Sequence, residues 1–143
     1  MGNRLEGRVV IVTGAGRGLG AEVAAWMADD GASVVVNDLG GAVDGAGTSD
    51  APAELVAQGI RDQGGTAVAN FDSVSEYESA GRIVQTAIDS FGRLDAVCHV
   101  AGILRDRMVF NMTEAEWDGV LSVHLNGAFN MVRNMVPHLV KQR

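Results

Sequence analysis

Short apolar runs alternate with amphipathic stretches along the whole chain. Residues 8–12, 33–38, 66–71 and 94–100 are runs about one strand long, dominated by valine, isoleucine and alanine. The first two lack polar alternation, which is the pattern of strands buried on both faces. The intervening stretches carry apolar residues at helical spacing. Leu19, Val23, Trp26 and Met27 share one face of a first helix, with Gly31 as a left-handed stop. A second helix opens near Asp50 and Pro52, uses Leu55, Val56 and Ile60, and ends at Gly64-Gly65. The third is the most periodic, with Ala80, Ile83, Val84, Ala87, Ile88 and Phe91 at offsets of three and four, ending at Gly92. Ser75 and Glu78 ahead of it have capping-box spacing, as do Thr113 and Glu116 ahead of the last helix. In that last helix Trp117, Leu121, Leu125, Ala128 and Val132 mark the expected buried face, and Pro137 is expected to kink or end it. Strand and helix in strict alternation imply an α/β protein with a parallel sheet and right-handed crossovers. Residues 39–49 have no period and contain Gly40, Gly41, Gly45 and Gly47, so 42–49 is expected to be a plain surface connection.

Composition narrows this picture. At 143 residues the chain suits one domain, 1–143, with a real core. The net charge of −7 lacks the basic surface that nucleic-acid binding needs. No apolar run approaches the roughly 18 residues of a membrane span, and the first strand starts too early to leave space for a signal peptide. Cys98 is the single cysteine, so a reducing, cytoplasmic setting is expected. The three histidines, His99, His124 and His138, show no metal-ligand spacing, and no metal site is expected.

The candidate chemistry begins directly after the first strand. Thr13-Gly14-x-x-x-Gly18-x-Gly20 links that strand to a helix. Glycines allow a backbone to approach a pyrophosphate, and the helix's first N–H groups point partial positive charge at it. Asp38 ends the second strand, where an acid can accept hydrogen bonds from ribose hydroxyls and repel a 2′-phosphate. That pattern predicts a dinucleotide site of Rossmann-like kind and favours NAD over NADP. Arg17 is a counter-signal, being a cation beside the same turn.

Taken together, these residues resemble the short-chain dehydrogenase/reductase family. The likeness rests on the glycine turn, on Asp72 closing the third strand, on Ala101-Gly102 after the fourth and on Trp117-Asp118. Within the family it is similar to the hydroxyacyl-CoA dehydrogenase part of peroxisomal multifunctional enzyme type 2 and its bacterial relatives. Residues 34–41, 67–74 and 101–107 carry that likeness. The resemblance implies a three-layer α/β/α fold with strand order 3-2-1-4. It implies a cofactor site of Gly14, Arg17, Gly18, Leu19, Gly20, Asp38, Leu39, Asp72, Ser73, Ala101 and Gly102. His124 falls where many members carry a catalytic asparagine. His99 and Val100 stand where the family has two asparagines, and His99 is expected to be a buried, satisfied strand tie.

The resemblance covers the N-terminal half or so of a usual member and breaks at the chemistry. Family members move a proton through a tyrosine and a lysine four residues later. Here Tyr77 is followed at that distance by Gly81, and Lys141 is preceded by Pro137. The fifth strand and its serine are absent as well. Three readings stay open: the N-terminal piece of a dehydrogenase, a nucleotide-binding or interaction module without catalysis, or an enzyme with a relay built on His124. The implied parent reaction interconverts a secondary alcohol and a ketone, with an acyl thioester as the small-molecule substrate. A homo-oligomer, or pairing with a missing C-terminal part, is expected to cover the edge of strand four.

Overall fold

The computed structural model describes residues 2–142. Four strands, β1 (Val9–Thr13), β2 (Ser33–Asn37), β3 (Thr66–Asn70) and β4 (Ala96–His99), form one parallel sheet in the order β3-β2-β1-β4. The helices are α1 (Gly18–Asp29), α2 (Ala51–Asp62), α3 (Tyr77–Phe91), α4 (Glu114–Leu121) and α5 (Gly127–Lys141). Side chains alternate across a strand, so the apolar runs feed two cores. Val10, Val12, Val34 and Val36 meet α1 and α2 on one face of the sheet. Val9, Ile11 and Val35 meet α3 and Met131 of α5 on the other. This is the three-layer architecture and strand order expected.

The register has a functional consequence. Thr13 pairs with Asn37 and with His99, and Asn37 pairs with Asn70. A row of four polar residues therefore crosses the carboxyl edge of the sheet, just above the last valine layer. Asn37 Nδ2 donates to Asn70 Oδ1 at 2.9 Å, and Thr13 Oγ1 lies 3.0 Å from His99 Nδ1.

The helices depart from expectation in which face they bury. On α1 the buried stripe is Gly20, Ala24 and Ala28, whereas Leu19 and Trp26 are exposed. On α2 it is Ala53, Ala57 and Ile60, with Leu55 exposed. Small residues let a helix lie close to the sheet, and the bulkier apolar residues are left outside. On α5 the inward residues are Gly127, Asn130 and Met131. Leu125, Phe129, Val132, Val136 and Val140 stay exposed, as does Trp117 of α4. Pro137 lies inside α5, which continues to Lys141. The helix bounded by Ser75–Glu78 has no capping box: Ser75 Oγ pairs with Ser73 Oγ at 2.8 Å instead. Thr113 and Glu116 do form the reciprocal pair. Between α4 and α5 a π-turn, Ser122–Asn126, widens the helix. Periodicity gave no sign of it. Among the described residues, no helix is long and apolar enough to cross a membrane.

Candidate cofactor site

A cleft of about 430 Å3 opens at the carboxyl ends of the strands. The chain passes from β1 outward to β2 and β3, then returns to place β4 on the other side of β1. Ligands of open parallel sheets bind at such a reversal of strand order.

The glycine turn forms its floor. Gly14 has φ +65°, and a Cβ there would stand 2.7 Å from both the Cα and N of Ala101. A Cβ on Gly20 would overlap the Gly14 carbonyl. The two glycines thus let the turn after β1 pack against the segment after β4. Helix α1 starts at Gly18 with no side-chain cap and no acid in its first turn. Its first N–H groups and partial positive charge are left for an anion. A pyrophosphate fits that cradle.

Asp38 stands immediately beyond β2. Its Oδ2 accepts from Gly16 N at 2.8 Å and its Oδ1 from Gly40 N at 2.6 Å. Backbone amides aim the carboxylate while each oxygen keeps acceptor capacity for a ribose hydroxyl. Leu39 lines the cleft beside it. Arg17 also faces the cleft, with Nη2 donating to the Gly41 carbonyl at 2.9 Å.

Asp72 and Ser73 line the wall beyond β3. The Asp72 carboxylate is engaged by protein partners: Arg82 Nε at 2.7 Å, Asn70 Nδ2 at 3.0 Å and Ser79 Oγ at 3.3 Å. Asn37 Nδ2 donates to the Asp72 carbonyl at 2.9 Å. This network fixes the end of β3 and the backbone that follows.

Ala101 and Gly102 line the cleft after β4. The small size of Gly102 is required by His124, because a Cβ there would come within 2.6 Å of His124 Cε1. The His124 Nε2 meets the backbone of Ile103, 3.2 Å from its N and 3.1 Å from its O. His124 therefore fastens the loop after β4 from behind and does not line the cleft. Its neighbours Ser122 and Val123 in the π-turn do. Gly18, Leu19 and Gly20 begin α1 beneath the cleft without lining it.

Residues that sequence reading did not assign also line the site, notably Ala42, Val43 and Gly45 of the 39–49 loop, Val100 and Ile103. No periodic signal marks them. The expectation of a plain surface connection over 42–49 is corrected by this lining. Among the described residues, no group of three potential ligands could hold a metal ion.

His99 ties β4 to β1 through Thr13, as expected of a strand tie, but its Nε2 is buried without a hydrogen bond of normal geometry. Burial lowers its pKa below the ordinary histidine value, the neighbouring Val123 backbone opposes this, and His124 adds to it. A histidine whose folded pKa is depressed contributes stability above its unfolded pKa, near 6.5, and loses it as pH falls through the folded value. Thermal stability is expected to drop from about pH 6.5 downward, and His99→Gln should flatten that part of the profile. An unchanged slope in the variant would refute the assignment.

An open parallel sheet with a glycine turn, an uncapped helix and an acid at the switch point defines a dinucleotide-binding α/β protein. The family model for short chain dehydrogenase matches residues 8–143. The chain belongs to the short-chain dehydrogenase/reductase family. It is 51% identical over 138 residues to a short-chain type dehydrogenase/reductase of Mycobacterium tuberculosis, covering 96% of this chain and 48% of that protein. It is 48% identical to the peroxisomal multifunctional enzyme type 2 of Mus musculus, covering 97% of this chain and 18% of that one. The crystal structure of a short chain dehydrogenase from Mycobacterium avium superposes with a TM-score of 0.88 at 43% identity, covering 96% of this chain and 49% of that chain. The chain thus spans about half the length of the first of these relatives, and less of the multifunctional enzyme.

Proposed function

We propose that these residues form the cofactor-binding half of an oxidoreductase that interconverts a secondary alcohol and a ketone with NAD. The observation that carries this is one cleft flanked by the uncapped start of α1 and the amide-aimed carboxylate of Asp38. Bound NAD supplies a hydride acceptor, and NADH a donor. The chain's own groups bind and orient. The α1 amides and the Gly14–Gly20 turn hold the pyrophosphate. Asp38 accepts from the adenosine ribose, and the backbone at Asp72-Ser73 borders the adenine. Ala101 and Gly102, braced by His124, border the nicotinamide ribose.

A 3-hydroxyacyl or 3-oxoacyl thioester is the substrate class this reading favours. It rests on the likeness of residues 101–107 to the hydroxyacyl-CoA dehydrogenase part of the multifunctional enzymes, a stretch the fold does not dictate. The exposed stripe of α5 and the open edge of β4 are the surfaces we assign to further polypeptide or a second copy.

Asp38→Ala tests the cofactor assignment. Losing charge-assisted bonds to the ribose should weaken NAD by about 10- to 100-fold. NADP should lose less or gain, since a like charge facing its 2′-phosphate is removed. Because Asp38 also holds the turn through Gly16, the ratio of the two affinities by calorimetry is the decisive quantity. An equal loss for both cofactors would overturn the preference for NAD.

A further inference from the structure

We propose that residues 39–49 are part of the dinucleotide site, forming a strap laid across the cleft and fastened on both sides of it. This rests on the cofactor reading above and adds binding residues to it. The loop joins β2 to α2, and α2 packs over β2 and β3. A connection to a helix lying there needs only about two to six residues. This one has eleven and travels the other way, over β1 toward β4, a lateral distance of roughly 10 Å at ordinary strand spacing.

Two fasteners hold it there. Arg17, in the glycine turn after β1, donates Nη2 to the Gly41 carbonyl at 2.9 Å. Leu104, beyond β4, donates its backbone N–H to the Val43 carbonyl at 3.0 Å. Packing reinforces the second, since a Cβ on Gly45 would stand 3.1 Å from Ile103 Cδ1. The loop is also folded on itself. Ser49 N donates to the Leu39 carbonyl at 3.1 Å, closing its base. Gly45 N donates to the Ala42 carbonyl and Ala42 N to the Ala46 carbonyl, both at 2.8 Å, shaping its tip. A loop so cross-linked is a compact element in its own right.

Its placement assigns its ligand contacts. Ala42, Val43 and Gly45 line the cleft, and the Val43 side chain is 63% exposed within it. An apolar side chain left open at that position supplies a covering surface for the bound dinucleotide. The glycine turn lies below, so the cofactor is held between turn and strap. Release then requires at least one fastener to open. Because Leu104 belongs to the segment that follows Ala101-Gly102, the strap also links enclosure of the cofactor to the loop facing substrate.

The test is the NADH dissociation rate of the full chain, followed by stopped-flow fluorescence. Gly41 and Gly47 lie close, a Cβ on Gly41 being 3.0 Å from the Gly47 carbonyl. Deleting residues 42–46 and joining these glycines therefore removes the tip while sparing the base. Losing the Val43–Leu104 bond and its packing should raise the dissociation rate roughly tenfold or more, with little change in the association rate. A second measurement needs no variant: saturating NADH should slow hydrogen exchange at the Leu104 amide at least severalfold. Unchanged dissociation in a folded deletion variant overturns the strap and leaves the cofactor site standing. Leu104 exchange indifferent to bound NADH does the same. Failure of the unaltered chain to bind NADH overturns both.

Discussion

Gly14→Ala is expected to abolish cofactor binding and to destabilise the chain by about 3 kcal/mol or more. Two costs combine. A side chain at φ +65° costs about 1–2 kcal/mol by itself. The added Cβ would also stand 2.7 Å from the Ala101 backbone, where no flexible group can give way. Relief requires β1's turn and the segment after β4 to separate, and those two segments border the same cleft. Gly18→Ala is the control. Gly18 has φ +53° but nothing within 4 Å of its Cβ position, so only the conformational cost of about 1–2 kcal/mol applies. Chemical denaturation and NADH titration of both variants separate the two costs. Equal losses would show that steric closure between the two segments contributes nothing.

The second large effect concerns chemistry. The unaltered chain is expected to bind NAD and to show no turnover with a 3-hydroxyacyl thioester. Tyr77 stands at the exposed start of α3, where its carbonyl accepts from Asn134 Nδ2 at 3.2 Å. Lys141 closes α5, next to Gln142, whose side chain bonds the Leu94 backbone in both directions. That places Lys141 near the amino end of β4, and the cleft is at the carboxyl end. Neither group reaches the cleft. The titratable residues that line it are Arg17, Asp38 and Asp72, and each side chain is engaged in hydrogen bonds. Without a positioned proton donor, roughly 10²- to 10⁴-fold in rate is forfeited from proton transfer alone. Steady NADH formation by the purified chain would contradict this and direct attention to His124.

Much of the fold could be read from the chain because the evidence was redundant. Each strand was an apolar run flanked by a glycine or an acid, and α3 carried its whole stripe in large residues. The faces of α1 and α5 were misassigned for a physical reason. Apolar periodicity weights bulk, yet a helix packed tightly on a sheet buries what is small, here Gly20, Ala24 and Ala28. On α5 the bulky residues are real and periodic but face outward. A pattern of side chains shows that a face is apolar without showing what it meets.

The site divides along the same line. Gly14, Arg17, Asp38, Ala101 and Gly102 were legible because each sits at a strand end within a recognisable pattern, and they do come together. Asp72 was legible as a position, although its carboxylate faces Arg82, Asn70 and Ser79. Val43 and Ile103 were not legible, since the contact between their loops depends on tertiary path alone. Ser122 and Val123 were hidden by the π-turn, which has no sequence period of its own.

The central claim is that this chain carries a complete NAD-binding surface without the groups for proton transfer. Calorimetric titration of the unaltered chain with NADH and then NADPH tests it most directly. The account predicts saturable NADH binding at one site per chain, with NADPH weaker. Heats that do not saturate with NADH, or tighter binding of NADPH, would contradict it.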